Sequence, residues 1–566
     1  MNPAKVAPLI SKLREMCQMK SINKLRVSAI AVAVGIALSP AVWAATQDDI
    51  EQLKQQVEEL DQKIRVLERQ QEIDKENAAA KAKATPSVAI DSKGFGIKSG
   101  DGANELRVNG YVQADSRWYT GGLSPQGVTA GVTSPIGSVA AATGGVDTFL
   151  IRRARLQFSG TLGKYFDFWL EPSFDNGEAG LQSAYITANV APEFKVQVGK
   201  FKVPFGLERL QSSANNSFVE TAFTTGLTPN YEVGAQLLGT LFSGTTDYQL
   251  AVINGSALEN VNTNGVAGGG NNSGSEDADN NDAKGIVARL FVRPFQVTDI
   301  DALKKLGIGF AYLHDNDLVQ ATAYNNLVLP TTITNVNLGS YRSPGQQTFF
   351  AYNGANATAV INTNTTAAYA VGSRDRWSPQ ANWYYGPFGL LAEYVRSSQD
   401  IARNTISPVA AITRNIQSVD NHAWQVLGSW VITGEDEAFG TSYPGSTVVP
   451  KHPFDWRTGN WGAFEAVARY NEQDNDPDVY LAPGATTAAQ IAALQLANPA
   501  TAAQQARDIG LGLNWYFNRY VKLQTSYDVT NFSGGGGTLP GALPGTTIIL
   551  DRPQEKVFFT RVQLAY

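Results

Sequence analysis

The most regular feature of the sequence is an alternation of apolar and polar positions, which recurs in stretches of about ten residues. The last stretch, EKVFFTRVQLAY, is an example. Phe558, Val562, Leu564 and Tyr566 share one face of an extended chain, whereas Arg561 lies on the opposite face. The same pattern in LRVNGYVQADSRWY, FLIRRARLQFSGTL and WGAFEAVARY predicts strands with one side suited to an apolar surround and one suited to water.

Sixteen segments carry this pattern from residue 105 onward. We predict strands near residues 105–119, 147–162, 165–175, 181–190, 194–205, 232–243, 246–254, 284–295, 306–315, 375–385, 388–398, 421–433, 461–472, 506–517, 519–532 and 555–566.

The links between these strands are mostly short on one side and long on the other, as in outer-membrane barrels. Two links break this rule: the outer link near Asn176 is short and the inner link from Gly434 to Asn460 is long. No stretch after residue 44 is apolar for the roughly 20 residues that a membrane helix needs. We therefore predict an all-β fold, a sixteen-stranded antiparallel transmembrane β-barrel at residues 105–566, preceded by a short coiled-coil helix.

The N-terminus has the features of a secretory signal peptide. Basic residues precede the apolar run VSAIAVAVGIAL, and VWA at residues 42–44 matches a cleavage site. We expect a signal peptide at residues 1–44, with residues 1–18 as an upstream extension and Met19 as the true start. Cys17 is the single cysteine, so the exported chain would form no disulfide.

A heptad pattern follows the signal peptide. Its apolar positions are Ile50, Leu53, Val57, Leu60, Ile64 and Leu67. We predict a periplasmic coiled-coil helix at residues 45–78 and a flexible linker at residues 79–104. β-branched residues at position a with leucine at position d favour a dimer.

Composition narrows the chemistry. Charged residues make up 17% of the chain and the formal net charge is −6, which argues against nucleic-acid binding. His314 and His422 fall at outer strand ends and His452 in an inner link, a placement that supports no hydrolytic triad or metal cluster, so we expect no enzyme activity and no cofactor or metal. The acidic run EDADNND is most simply a solvated loop.

The polar face of the predicted strands is rich in cations. A barrel of this size leaves an aqueous lumen, and an excess of positive charge there favours anions. Together with the basic residues near the fifth connection, the predicted pore-lining residues are Arg107, Arg117, Arg153, Arg155, Lys195, Lys200, Lys202, Arg209, Arg289, Arg293, Arg469, Lys522 and Arg561. Lys200 and Lys202 enter this set through a change of face at Gly199 that we attribute to a β-bulge. Any one of these cations could instead pair with an inward-facing acid.

The second predicted strand has an odd arginine. If Leu150, Ala154 and Leu156 face lipid, Arg153 and Arg155 face water and Arg152 falls on the lipid side. We expect Arg152 to lie near a rim, where its long side chain reaches the interface.

Several segments resemble the phosphate-selective porin O and P family. They include RRARLQFSGTL at residues 152–162, VGKFKVPFGLERLQSS at 198–213, KHPFDWRTGNWGAFEAVARY at 451–470 and the closing TRVQLAY. The resemblance implies a trimeric channel in the outer membrane of a Gram-negative bacterium, which passes inorganic phosphate or other small anions. It also implies contact with outer-membrane lipid and, through the C-terminal Phe558, Val562, Leu564 and Tyr566, with the barrel-assembly machinery.

The fifth connection, residues 206–231, is the loop that porins of this type fold inward as a constriction. Phosphate-selective members line it with arginines, but this loop holds only Arg209, beside Glu208 and Glu220. A less selective small-solute porin is therefore the first alternative, and a barrel that only anchors the envelope is the second.

Overall fold

The N-terminal compact unit, residues 1–85, contains one described element, the helix α1 (Gln47–Ala84). The computed structural model describes residues 47–91, 94–121, 145–175, 179–255, 284–316, 320–325, 329–335, 338–353, 359–360, 368–406, 412–440, 447–482, 491, 494–540 and 547–566. Ion pairs one turn apart, such as Lys63–Glu59 at 2.8 Å, support the polar surface of α1. No described helix has both the length and the apolar character needed to cross a membrane.

The second unit, residues 86–566, is built of strands. In chain order they are β1 (Ser87–Asp91), β2 (Gly94–Lys98), β3 (Glu105–Gly121), β4 (Thr148–Leu162), β5 (Phe166–Ser173), β6 (Gly180–Ala191), β7 (Phe194–Lys202), β8 (Tyr231–Leu241), β9 (Thr246–Ile253), β10 (Gly285–Val292), β11 (Gly307–Asn316), β12 (Gln320–Asn325), β13 (Leu329–Asn335), β14 (Ser340–Arg342), β15 (Thr348–Ala351), β16 (Ala359–Val360), β17 (Ala368–Tyr385), β18 (Phe388–Ile406), β19 (Ile412–Val431), β20 (Ala463–Asp474), β21 (Ala503–Tyr516), β22 (Val521–Pro540), β23 (Thr547–Asp551) and β24 (Glu555–Ala565). Short helices are α2 (Leu207–Leu210) and the 3₁₀ turns Phe223–Gly226, Asp301–Leu303 and Pro477–Tyr480.

Sixteen of the described strands form a closed antiparallel barrel: β3 to β11, β17 to β22, and β24. Each pairs with its neighbour in sequence, and β24 pairs with β3 to close the ring. All sixteen predicted strands are confirmed, although β17, β18, β19 and β22 run further toward the outer end than the sequence predicted.

The two sides of the barrel wall differ as the alternation predicts. On β24, Phe558, Val562, Leu564 and Tyr566 are exposed on the outer side, while Arg561 is buried on the inner side. The chain end closes against β3, where Gly110 and Tyr566 exchange two backbone hydrogen bonds of 3.1 and 3.0 Å.

The residues between helix and barrel differ from the predicted linker at 79–104. The helix α1 continues to Ala84, and β1 and β2 form a hairpin. Strand β2 also pairs with β3 from Glu105 to Val108, just below the part of β3 that pairs with β24. The sequence pattern did not predict this hairpin, because strands of only five residues are too short to show a clear alternation.

The long links at the outer end contain structure that the alternation did not predict. Strands β12, β13 and β16 form one small sheet, and β14 and β15 form a hairpin. Phe349 and Phe350 of this hairpin are fully buried, and Phe349 packs against Phe223 with ring centroids 5.5 Å apart. The hairpin therefore packs on chain that lies inside the barrel.

The chain inside the barrel is the link between β7 and β8, residues 203–230, which we call the internal segment. Most of its side chains are buried. It begins where Pro204 cannot donate a hydrogen bond to a neighbouring strand. Gly199 of β7 has a φ of +133°, and the pairing of β7 with β8 continues without a register shift from Lys195 to Lys202. The predicted β-bulge at Gly199 is therefore wrong. The strand contains no extra residue there, and the glycine adopts a positive φ while the pairing stays in register.

Candidate functional site: a basic cavity inside the barrel

A row of side-chain amides on the barrel wall fixes the internal segment. Four neighbouring strands each present a buried glutamine or asparagine that donates to a carbonyl oxygen of the segment. The pairs are Gln113 with Ser213 (3.0 Å), Gln563 with Ala214 (3.0 Å), Gln524 with Asn216 (2.9 Å) and Asn514 with Ser217 (2.9 Å). Because buried carbonyls are costly unless they accept hydrogen bonds, this row determines the path of the segment.

The opposite wall holds the start of the segment. The backbone N–H groups of Leu207 and Glu208 both donate to the carboxylate of Glu393 on β18. Gln425 on β19 donates to the Glu208 carboxylate at 2.9 Å. The segment is thus hydrogen-bonded to strands on both sides of the lumen.

A three-residue ionic contact anchors the far end of the segment. Arg152 donates to both carboxylate oxygens of Glu220, at 2.7 and 3.1 Å, and Arg117 donates to Glu220 at 2.8 Å. Burial alone would raise the pKa of Glu220, but the charges of Arg152 and Arg117 outweigh it and hold this pKa well below the usual glutamate value. Glu220 therefore carries a full negative charge that two arginines share.

The prediction that Arg152 lies on the lipid side is wrong, since only 2% of the residue is exposed. The pairing of β3 with β4 skips one residue between Gln113–Arg153 and Ala114–Ile151, so Arg152 and Arg153 both face inward. Beyond this bulge Ile151, and not Leu150, is exposed on the outer side.

Beside this anchor lies a cavity of about 30 Å³. Strands β4 and β7 and the internal segment supply its cations, and polar side chains supply most of the remaining lining. The lining residues are Arg153, Arg155, Gln182, Lys202, Glu208, Arg209, Gln211, Ser213, Asn216, Thr221, Asn230 and Tyr231. Four residues of the predicted pore-lining set therefore meet at one place.

Three of the four cations have neutral hydrogen-bond partners. Arg153 donates to the Gln113 side chain at 2.9 Å, Lys202 to a backbone carbonyl, and Arg209 to a backbone carbonyl and to Thr228. Within the described residues none of the three forms an ion pair with a carboxylate.

Arg155, by contrast, donates to Asp175 at 2.6 and 3.1 Å. Arg153, Lys202 and Arg209 thus line the cavity without an ion pair, and Glu208 is the carboxylate among the lining residues, so positive charge is in excess there. The described residues contain no group of three or more His, Cys, Asp or Glu side chains that could hold a metal ion.

The family profile of the phosphate-selective porins O and P matches residues 140–531, which is more than half of the chain. The chain belongs to this porin family. No curated protein sequence matches it.

Solved structures of outer-membrane channels resemble it at low sequence identity. DcaP of Acinetobacter baumannii is 12% identical, with 83% of this chain and 99% of that chain covered and a TM-score of 0.42. The anion-selective porin of Comamonas acidovorans is 9% identical, with 82% and 100% covered and a TM-score of 0.40. The trimer form of OmpT of Vibrio cholerae is 8% identical, with 82% and 100% covered and a TM-score of 0.42.

Membership of the porin family identifies the protein as an outer-membrane porin. Most of the other predicted pore-lining residues lie along the inner wall with acids or amides as partners. Arg561 donates to both oxygens of Asp115 at 2.7 Å, Arg469 donates to Asp528 at 3.2 Å, Arg293 donates to Asp247 at 2.7 Å and Arg289 donates to Gln380 at 3.1 Å. Lys522 lies 3.5 Å from the Asn216 carbonyl, Lys200 is buried, Lys195 is half-buried, and Arg107 pairs with Asp91 and Glu105 at the hairpin.

The sequence reasoning missed two groups of this porin. It did not identify Arg117 and Arg152 as partners of Glu220, because the pairing depends on a bulge and on a contact 103 residues apart for Arg117. It also missed Arg374 and Arg376, which both bind Asp315 at 2.9 Å. The sequence did contain a signal for the second group. The alternating pattern continues past residue 375 toward the outer end, through RDR at residues 374–376.

Proposed function

We propose that this porin passes small anions by passive diffusion, and that the internal segment forms its constriction at the basic cavity. The observation that carries the proposal is the excess of positive charge around the cavity, where Arg153, Lys202 and Arg209 have neutral hydrogen-bond partners and Glu208 is the lining carboxylate. In a narrow passage with walls of low dielectric constant, such charges attract anions and repel cations.

The same geometry favours modest selectivity for phosphate. Arg117 and Arg152 would offer the bidentate donors that a phosphate group binds best, but the Glu220 carboxylate occupies them. The internal segment contributes one further arginine, Arg209, whose donors contact Thr225 and Thr228. We therefore infer a channel for small anions in general, of which inorganic phosphate is one.

The assembly follows the family expectation of a homotrimer, with α1 in the periplasm as a coiled coil. In support, Leu53, Val57, Leu60, Ile64 and Leu67 are exposed along one seam of the isolated helix. Water-exposed leucine and isoleucine at heptad spacing favour self-association. We also propose that residues 1–44 are removed on export.

The reversal potential in a KCl gradient across a planar bilayer tests this function. We expect anion preference in the native channel, weaker preference after Arg153→Gln, and weaker preference at high salt because the Debye length falls from about 10 Å at 0.1 M to about 3 Å at 1 M. Added phosphate should block chloride current only weakly.

Two controls accompany the test. Lys164→Asn removes a charge at an exposed turn, and Arg155→Gln combined with Asp175→Asn removes a compensated pair from the cavity. Both should keep the native preference. Cation preference in the native channel would refute the proposal. Phosphate block at micromolar concentration would instead support a strictly phosphate-selective channel, and absence of conductance would favour a barrel that only anchors the envelope.

A further inference from the structure

The inner link between β19 and β20 is unusually long for its side of the barrel. The links between β17 and β18 and between β21 and β22 have two and four residues, whereas this link covers residues 432–462. It follows strands whose inner faces are packed, and it plays no part in the cavity. Its described part carries the motif FDWRTGNW, residues 454–461, which the anion path leaves without a role.

This motif packs on the outer surface of the barrel. The Phe454 ring contacts the rings of Trp515 and Phe517, with centroids 5.6 and 5.4 Å apart, and the Phe454 N–H donates to the Phe517 carbonyl at 2.6 Å. The Trp515 indole N–H donates to the Trp461 carbonyl. The motif therefore lies on the outer surface at the barrel end. The earlier part of the link turns inward, where the Gly440 carbonyl accepts a hydrogen bond of 3.0 Å from the Ser212 N–H of the internal segment.

The surface that the motif covers is continuous with the lipid-facing wall. Trp515 lies on the same side of β21 as Leu513, Leu511 and Ile509, all of which are exposed side chains of the outer wall. The motif extends that apolar row by one turn at the periplasmic end. Lipid acyl chains cover the row itself, so the next layer that the motif meets is the headgroup layer.

The exposed residues of the motif are of types that interact favourably with lipid headgroups. Trp456 is 76% exposed and Trp461 is 62% exposed, and both have an indole N–H to donate. Arg457 is exposed and lies over the Trp456 ring, 5.5 Å from its centroid. The Asp455 carboxylate accepts a hydrogen bond of 2.9 Å from the backbone N–H of Arg457, which stabilises the turn.

We propose that Trp456, Arg457 and Trp461, supported by Phe454 and Trp515, bind the phosphate headgroup of a phospholipid in the periplasmic leaflet. Tryptophan is enriched at membrane interfaces because its ring is apolar and its N–H is polar. A guanidinium beside it offers the donors that a phosphodiester oxygen accepts. The long inner link thus attaches one sector of the barrel, β19 to β21, to the membrane surface.

Membrane depth at position 456 is the first test. Trp456→Cys in a Cys17→Ser background is labelled with a nitroxide in the folded, reconstituted porin, and collisions with oxygen and with a water-soluble nickel chelate are measured. We expect a depth between that of a label at Leu511, in the lipid-facing row, and that of a label at Lys304, in an exposed periplasmic turn. If the cysteine variant does not fold, quenching of Trp456 by brominated phospholipid, taken as the difference from Trp456→Phe, decides the same question.

Binding of phosphatidylglycerol in detergent, followed by native mass spectrometry, is the second test. Arg457→Gln should lower the bound fraction by roughly tenfold, because a hydrogen bond to a charged group contributes about that factor in affinity. Lys304→Gln should leave it unchanged.

Three results would overturn the proposal. These are a label at 456 as accessible to nickel as the Lys304 label, a label at 456 shielded from both reagents by a second copy of the chain, and equal phosphatidylglycerol binding by the native porin and Arg457→Gln.

Discussion

Arg152 and Glu220 join the second strand of the barrel to the segment that crosses its lumen. Two hydrogen bonds, of 2.7 and 3.1 Å, connect the guanidinium to the two carboxylate oxygens, and both residues are buried. Arg152 reaches this position because the bulge on β4 turns two consecutive arginines inward. Arg152 is therefore compensated by a carboxylate, whereas its neighbour Arg153 donates to the neutral side chain of Gln113.

Replacing Glu220 by Gln should raise the anion preference of the channel. The change removes the charge that Arg152 and Arg117 share, so two further cations act on the lumen. Breaking a buried ion pair from one side also costs about 3–5 kcal/mol, so the internal segment should become less stable. Reversal potentials measure the first effect, and current noise of single channels measures the second.

The matched control for Glu220→Gln is Asp301→Asn, which removes one negative charge at an exposed turn. The double variant Glu220→Gln with Arg152→Gln should return the selectivity toward the native value. An unchanged permeability ratio in the single variant would contradict a role of this pair in setting the charge of the lumen.

Gly199→Ala should prevent assembly of the barrel. The residue has a φ of +133°, and an added Cβ would lie 2.2 Å from the Ala184 carbonyl oxygen on the neighbouring strand. We expect loss of heat-modifiable, folded porin from the outer membrane. Gly428→Ala is the matched control, because no atom lies within 4 Å of its added Cβ. Equal amounts of folded protein in both variants would show that β7 tolerates the strain.

Loss of the terminal aromatic residue should also prevent assembly. Tyr566 closes the ring through its backbone contacts with Gly110, and its side chain lies on the outer face. Deletion of Tyr566, or Tyr566→Asp, should leave unfolded protein that periplasmic proteases degrade. Phe242→Asp, at an exposed turn, serves as control. Normal levels of folded Tyr566→Asp porin would mean that the terminal ring is not read during insertion.

The stability of the porin should decrease as the pH rises above the ordinary glutamate range, because of Glu437 in the inner link. Burial, and then the nearby charge of Glu465, raise the pKa of Glu437 above its usual value of 4.5. The folded state thus holds a proton that the unfolded state releases above pH 4.5, at a cost of up to about 1.4 kcal/mol per pH unit.

Glu437→Gln should therefore match the native porin near pH 4 and exceed its stability near pH 8, as measured by urea unfolding in lipid vesicles. Glu472→Gln, on a partly exposed pair with Arg507, should not change the pH profile in this way. A native profile that rises between pH 5 and pH 8, and stays so in Glu437→Gln, would contradict the raised pKa.

Deletion of residues 45–84 should leave the conductance of single channels unchanged. The helix α1 belongs to a separate compact unit and contributes no strand to the barrel. If α1 self-associates, the same deletion should lower the fraction of oligomer that survives gentle electrophoresis. A folded deletion variant without conductance would show that α1 takes part in the channel.

The alternation of side chains was sufficient to predict the barrel, since lipid on one side and water on the other impose a period of two on every strand. It placed the inner position of Arg561 and the outer position of Leu564 correctly. It failed at Arg152, because one skipped residue exchanges the two faces and a bulge leaves no clear mark in a run of charged and apolar residues.

The candidate site was predictable only in part for a related reason. Arg153 and Arg155 follow from their strand, and Lys202 and Arg209 from their proximity to the fifth connection. Which arginines of β4 form ion pairs depends on contacts between distant parts of the chain, such as Arg155 with Asp175 and Arg152 with Glu220. Neither pairing is encoded in a local pattern.

The hairpin of β1 and β2 has a consequence for neighbouring copies of the chain. Since β24 ends beside Gly110, the backbone of β3 from Glu105 to Val108 would otherwise present an open edge, a template on which a foreign strand can pair. Strand β2 covers that edge from the same chain. The remaining edge is the five-residue β1, too short to recruit a partner strongly, so crowded, half-inserted barrels are protected against exchanging strands with one another.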